Sequence, residues 1–143
     1  MRVPTPLRSF RVYPERRSLY WEVRFYRDVP TMRLAYGFYR GKVSSKVSDG
    51  TARNFVRAEK ALAITAATTF VNFRHGRQRT SPVLGRLFFA FGSCGAMILS
   101  HEAAHATRYY LIRMGVKLDD PETDERFARI LGDIVRDIAK EIW

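Results

Sequence analysis

The most regular hydrophobic pattern in the chain lies near its C-terminal end, where apolar residues recur every three or four positions. They form one helical stripe: Phe127, Ile130, Leu131, Ile134 and Ile138. Asp120 suits the N-cap of this helix and Pro121 its first position, so the pattern predicts a helix from Pro121 to about residue 142. The preceding segment predicts another helix from residue 93 or 95 to residue 114, because Gly115 is a typical C-terminal stop.

The first third of the chain has the alternating pattern of β-strands. One run contains Trp21, Val23 and Phe25, and another covers residues 32–38, where every second residue is large and apolar or aromatic. Because Pro14 and Pro30 interrupt these runs, residues 7–40 are predicted to be strands joined at the prolines. A further short apolar strand is predicted over residues 85–91, with Gly92 ending it.

The middle of the chain is less regular. A helix is expected after a cap at Asp49 or Thr51, extending to about Phe70. Its end stays open, because the β-branched residues from 64 to 71 also suit a strand. Residues 76–82 are expected to form a basic loop. The order of strands, helix, strand and two helices predicts an α+β fold.

The charge of the chain is strongly positive and unevenly distributed. Among 143 residues there are 25 Lys and Arg against 14 Asp and Glu, a net charge of +11. Residues 1–118 hold 21 basic and 6 acidic residues, whereas residues 119–143 hold 4 and 8. Arginines on or beside the predicted strands alternate with aromatic residues, a mixture that suits phosphates and stacked bases. They are Arg8, Arg11, Arg16, Arg17, Arg24, Arg27, Arg33 and Arg40. The alternative is a solvated basic face above an aromatic core.

The sequence also bears on the compartment. A single cysteine, Cys94, excludes an intramolecular disulfide, fits a reducing environment and is expected to be a small buried residue. The first eight residues lack the apolar core of a secretory signal. The longest uncharged run, residues 87–100, has 14 residues and is too short to span a bilayer. We therefore expect a cytoplasmic protein that does not enter the membrane.

One motif points to metal chemistry. His101 and His105 lie four positions apart within a predicted helix, so both imidazoles lie on one face and can reach one ion. Glu102 projects about 100° around the helix from His101, where it can meet a metal-bound water rather than the metal. A catalytic zinc site needs a third protein ligand and one open position.

The third ligand is expected from the following helix. Glu125 lies 20 residues after His105, on a helical face that also carries Ala128 and Gly132, where another helix can approach closely. Two other carboxylates compete with it. Asp133 lies about 80° around the helix from Glu125, and Asp124 is better placed to complement the helix N-terminus.

These segments resemble a known family. The run from His101 to Ala106, followed by residues 124–135, is similar to the active-site helix and glutamate helix of thermolysin-like gluzincins, with the same spacing to Glu125. The small arginine-rich chain is also similar to zincin-like proteins encoded by bacteriophages. The resemblance covers roughly residues 85–138. It implies one zincin-like domain over residues 1–143, whose basic part is residues 1–84 and whose substrate-binding edge strand, active-site helix and glutamate helix lie in residues 85–143.

The resemblance also implies the roles of residues. Zn²⁺ would be held by His101, His105 and Glu125, with Glu102 as the general base. Arg129 departs from the pattern, because the family has an acidic residue at this position that orients a histidine. The family's transition-state donor has no clear counterpart, and the candidates are Tyr109, Tyr110, His75 or an arginine. Arg108 follows His105 by one turn and either crowds the cleft or binds an acidic substrate group.

Two functions are consistent with the sequence. The first is a zinc metalloendopeptidase that acts on peptide or protein substrates, with the basic region favouring acidic ones. The second is a basic protein that binds nucleic acid or an acidic protein, such as a phage inhibitor of a host factor in the host cytoplasm, with a structural or vestigial metal site. The substrate and the oligomeric state stay open.

Overall fold

A computed structural model gives the fold of the chain and describes residues 1–15, 18–68, 71–74 and 77–143. Within these residues there are six strands and four helices. The strands are β1 (Arg8–Val12), β2 (Tyr20–Tyr26), β3 (Ile64–Ala67), β4 (Val71–Arg74), β5 (Arg77–Thr80) and β6 (Val83–Ala90). The helices are α1 (Val29–Tyr39), α2 (Asp49–Ala58), α3 (Ala96–Arg113) and α4 (Pro121–Ile142). No helix in these residues is both long enough and apolar enough to cross a membrane.

Four of the strands form one mixed sheet in the order β1-β2-β6-β3. β2 and β6 pair in parallel, whereas β1 pairs with β2 and β3 pairs with β6 in antiparallel fashion. β4 and β5 form a separate two-stranded antiparallel sheet. The α+β prediction is therefore confirmed, with a small mixed sheet and helices.

Helices cover both faces of this sheet. Leu87 and Phe89 of β6 belong to the larger core, which includes residues of α3 and α4, and the Phe89 ring stacks on that of Phe25 at 4.9 Å. Phe88 and Ala90 point the other way, into a smaller core shared with α1. Since side chains alternate along a strand, β6 is buried on both faces.

Gly85 is required where β6 passes β2 and β3. The pairing of β2 with β6 shifts register between Tyr20 and Trp21, and Gly85 has a φ of +151°. A Cβ at this position would lie 2.1 Å from the carbonyl oxygen of Ala66 in β3. Only glycine permits this close approach of two strands.

The two C-terminal helices are confirmed. The backbone N–H of Glu122 donates to the Asp120 side chain, which caps α4, with Pro121 in its first turn. The helix before it, α3, ends at Arg113 with Met114 as its C-cap, and Gly115 follows with a φ of +75°. The predicted stripe also faces the core, because Ile130, Ile134 and Ile138 are fully buried. Local signals therefore define the start of α4 and the end of α3.

Three predictions of secondary structure were wrong. Residues 32–38 lie in α1, because Asp28 caps a helix there by accepting a hydrogen bond from the Thr31 N–H at 2.8 Å. The helix predicted after a cap at Asp49 or Thr51 is α2, but it begins after a Ser48 cap and ends at Ala58; the strand left open as the alternative for its end is confirmed by β3. The predicted basic loop at 76–82 contains strand β5.

The predicted position of the following strand at the edge of the sheet was also wrong. The strand over residues 85–91 is observed as β6, but it lies inside the sheet between β2 and β3. An interior strand has both of its backbone edges engaged in the ladder. In the described part of the chain, the outer edge of the sheet beside α3 belongs to β3.

Candidate metal centre

The two histidines of the motif lie side by side on α3. Their Nε2 atoms are 3.1 Å apart, and both side chains are exposed. Two nitrogens bound to one tetrahedral zinc ion at about 2.0–2.1 Å lie about 3.3 Å from each other. In the described structure this distance is that of a hydrogen bond between the two rings, and it is also close to the spacing of two zinc ligands.

Glu102 lies on a different side of α3 and is buried, with 6% of its surface exposed. Its Oε2 accepts a hydrogen bond from the hydroxyl of Thr65 in β3, and that hydroxyl also lies 3.3 Å from the Glu102 carbonyl oxygen. Glu102 is therefore not an ordinary solvated helix carboxylate. Strand β3, at the edge of the sheet, holds its carboxylate in place.

Two cavities flank α3, and His105 lines both. The larger has a volume of about 420 Å³, lies between α3 and α4, and includes His101, Arg108 and Asp124 in its lining. The smaller, about 220 Å³, lies on the β3 side and is lined by Glu102 and Thr65, together with Glu59 and two tyrosines. His105 thus separates a space that contains the histidine pair from a space that contains the buried carboxylate.

The third predicted ligand, Glu125, is not beside the histidines. Its side chain is exposed and does not line either cavity. The predicted close approach of a helix on its face was wrong, because Ala128 is exposed and a Cβ on Gly132 would meet nothing within 4 Å. In the described residues, no three His, Cys, Asp or Glu side chains are close enough to hold one metal ion.

The rotation of α4 explains this placement. Burial of Ile130, Ile134 and Ile138 fixes which side of the helix faces the core. At 100° per residue, Glu125 points about 180° away from that stripe, whereas Asp124 lies only about 80° from it. Asp124 consequently lines the cavity with both histidines. The other competitor, Asp133, pairs with Arg136 at 3.3 Å.

A carboxylate from the β1–β2 connection joins the two helices. Glu15 accepts hydrogen bonds from the Tyr110 hydroxyl at 2.8 Å and from the Arg126 guanidinium at 2.6 Å. The Arg126 hydrogen bond, together with that of Tyr110, lowers the pKa of Glu15 to about 2 despite its partial burial. Arg129, which stands where the family has an acidic residue, contacts Glu15 at 3.3 Å. Glu15 therefore ties α3 to α4 from outside the cavities.

The remaining candidate side chains have different surroundings. Tyr110 is 1% exposed and donates to Glu15, whereas Tyr109 is 43% exposed and lines the smaller cavity. Cys94 is half-buried against the larger core rather than fully buried, and this burial raises its pKa to about 11. His75 lies outside the described residues, as do Arg16 and Arg17.

The sequence did not predict that two residues, Thr65 and Glu15, belong to this region. Thr65 and Glu15 lie 37 and 95 residues from their partners on α3, so no local spacing connects them. Glu15 did carry a signal, because it is the only acidic residue among the first 21. A lone carboxylate in a strongly basic segment has many cations to pair with.

Comparisons with known proteins give no counterpart for this arrangement. The chain matches no family model, no curated protein and no solved structure. Any functional conclusion therefore depends on the geometry around α3.

Proposed function

We propose that the chain is a zinc-binding, metallopeptidase-like protein with a minimal zincin-like fold. The observation that carries this proposal is the His101–His105 pair, with Nε2 atoms 3.1 Å apart, on the same helix as the buried carboxylate of Glu102, which lines a second cavity that His105 also lines. Both imidazoles are exposed to a cavity of about 420 Å³, so an ion can reach them. When bound, zinc supplies a Lewis acid that polarises a carbonyl and makes water nucleophilic near neutral pH.

Glu102 is assigned the role of general base. Thr65 orients one carboxylate oxygen, and the cavity on that side leaves room for a water or a carbonyl beside the group. A base needs a fixed position within hydrogen-bond reach of the proton that it removes. The buried setting of Glu102 supports this role better than the exposed position of a surface carboxylate would.

The third ligand is assigned to the first turns of α4, whose carboxylate would have to come closer to the histidines on metal binding than it lies in the described residues. Glu125 has the spacing of the gluzincin motif, but Asp124 lines the cavity that contains both histidines. The structure therefore favours Asp124 over Glu125. Because the two residues are adjacent and both exposed, single alanine variants at each are well matched and separate the two assignments.

The substrate is assigned as an extended peptide that binds beside β3. In the described residues β3 pairs only with β6, so its outer backbone edge has no strand partner. That edge carries Thr65, which contacts Glu102. An extended peptide adding to this edge would bring a peptide bond close to the carboxylate. In this proposal β3 has the substrate-binding role that the resemblance implied for the strand over residues 87–91.

The deciding experiment is the zinc content per chain, measured by plasma mass spectrometry after equilibration with zinc. We expect one zinc ion on the wild type, none on a His101→Ala/His105→Ala variant, and a loss with Asp124→Ala but not with Glu125→Ala. Circular dichroism checks that each variant is folded. A folded wild-type protein that takes up no zinc would overturn the proposal, and a loss confined to Glu125→Ala would restore the gluzincin assignment.

Nucleic-acid binding is a second candidate, supported by one exposed patch. Arg11 lies 4.2 Å above the ring of Tyr20, and Tyr13 packs beside the same ring at 5.8 Å. Stacked cations and aromatic rings suit single-stranded nucleic acid. Other strand arginines are engaged, since Arg24 and Arg86 pair with Glu22. Binding of a labelled oligonucleotide that weakens with salt and with Arg11→Ala would support this candidate.

A further inference from the structure

The face of the sheet opposite the histidine pair carries an apolar groove. It lies between α1 and α2 and has a volume of about 290 Å³. Its walls are aliphatic or small: Met1, Pro30, Thr31, Leu34, Ala52 and Val56 line it. This volume is at the lower limit of small-molecule pockets, about 300–1,000 Å³, and is suited to one or two apolar side chains.

Two arginines form one rim of the groove. Arg53 and Arg57 line it, are exposed, and lie one turn apart on α2. Neither makes an ion pair with a residue in the described part of the chain. The surrounding segment is also positively charged, since residues 29–60 hold seven Lys and Arg and only two Asp and Glu. The groove therefore combines an apolar floor with an unpaired positive rim.

This chemistry distinguishes between classes of partner. Side chains four residues apart on a helix are neighbours, so Arg53 and Arg57 match two carboxylates that are one turn apart on another helix. An aliphatic floor accepts a leucine-sized anchor from such a helix. No aromatic ring lines the groove, so it offers no platform on which a nucleobase could stack. The charge and shape together favour protein over nucleic acid.

We infer that the groove between α1 and α2 binds an acidic helical segment of a partner protein. The partner inserts an aliphatic side chain between Leu34 and Val56 and places two carboxylates against Arg53 and Arg57. Because α1 packs on the face of the sheet away from α3 and α4, this interaction does not depend on zinc. It is independent of the proposed function.

The test uses a fluorescent synthetic helical peptide with glutamates one turn apart and a central leucine, titrated with the full chain. We expect Arg53→Ala/Arg57→Ala to weaken binding about fivefold, the loss of about 1 kcal/mol from two exposed ion pairs. Lys42→Ala/Lys46→Ala is the matched control, because both lysines are exposed, lie in the same segment and are outside the groove lining. It should change the affinity by less than about twofold, since distant exposed charges are screened.

The apolar contact is tested separately. Val56→Thr keeps the side-chain shape but adds a hydroxyl, and replacing the peptide leucine with serine removes the anchor. Each change should weaken binding about threefold or more. The inference is overturned if the peptide does not bind, if both charge variants lose affinity equally, or if the leucine is dispensable. Tighter binding of oligothymidylate that depends on Arg53 and Arg57 would also overturn it and identify a nucleic-acid surface.

Discussion

The two sides of α3 are built in different ways. Towards β3, Glu102 is 6% exposed and its carboxylate is held by the Thr65 hydroxyl. Towards α4, His101 and His105 are exposed and contact each other, and the nearest acidic side chain in their cavity is on the first turns of the next helix. The fold itself thus fixes the buried carboxylate, whereas a metal ion would have to complete the arrangement on the histidine side.

Substitutions on the two sides of α3 should therefore have different effects. A side chain fixed by packing and a hydrogen bond loses its geometry when its neighbour is altered. The proposed metal ligands lie on an exposed helical face, so metal binding depends instead on which side chains are present and on how α3 packs against α4. Variants on the β3 side should therefore affect stability and turnover, and variants on the α4 side should affect metal affinity.

The largest effect is expected from Glu102→Gln. Glutamine has the same shape and can still accept the Thr65 hydrogen bond, but it cannot remove a proton. Hydrolysis of fluorescent casein by the zinc-loaded protein should fall by about 10²- to 10⁴-fold, the usual contribution of a general base. Zinc content and thermal stability should stay those of the wild type. Retained turnover would exclude Glu102 as the base, and lost zinc would show that the carboxylate supports the metal instead.

A smaller effect is expected from Thr65→Val on the same side. Valine keeps the β-branched shape but leaves the buried Glu102 carboxylate without its hydroxyl partner. The free energy of unfolding, measured with urea, should fall by about 1–3 kcal/mol, because a buried acceptor is left unsatisfied. Thr65→Ser is the matched control and should retain most of the stability. Zinc affinity should not change with either variant, and a loss of zinc with Thr65→Val would remove the distinction between the two sides.

The success of sequence reasoning also differs between regions of the chain. The helices α3 and α4 were predicted because their signals are local: Asp120 and Pro121 start one, and Gly115 follows the other. The His101–His105 pair needs only helical spacing, so it too was found. In α1, however, large residues at every second position gave a strand pattern, although Met32, Ala35, Tyr36 and Tyr39 also form a helical stripe. The Asp28 cap and burial of one face decided between them.

The parts of the site that were missed depend on distant packing. The partner of Glu102 comes from a four-residue strand, β3, whose pairing with β6 cannot be derived from its own sequence. The position of Glu125 was predicted from its spacing to His105, but the burial of the isoleucine stripe decides how α4 is rotated. Spacing along the chain therefore predicted the candidate residues, and long-range packing determined which carboxylate lines the cavity with the histidines.

A third prediction concerns Glu15, which joins α3 to α4. Its pKa is about 2 in the folded chain and 4.5 without these contacts, so its stabilisation is complete above about pH 5 and is lost as the pH falls towards 2. Glu15→Gln should lower the free energy of unfolding at pH 7 by about 1–2 kcal/mol, since solvent screens part of the interaction. Urea denaturation from pH 7 to pH 2 should show the wild type converging on the variant.

Glu15→Gln also tests how the packing of α3 against α4 affects zinc binding. Because Glu15 contacts Tyr110 and Arg126 but neither cavity, its loss should weaken zinc binding only by loosening α3 against α4. Thr65→Val should leave zinc binding unchanged. A constant stability difference between wild type and Glu15→Gln across this pH range would contradict the ionic link.

The smallest effect is expected from Arg108→Ala on the histidine side. Arg108 is exposed and lines the cavity with His101 and His105, so its positive charge opposes a bound divalent cation. Removing it should raise zinc affinity about two- to threefold at low salt, and the gain should shrink as salt screens the charge. Lys140→Ala, at the far end of α4, is the control and should have no effect in a competition titration with a zinc-sensitive dye. If Arg108→Ala instead lowered zinc affinity, the arginine would support the site by positioning its neighbours, and the histidine side would be more preorganised than its exposed geometry indicates.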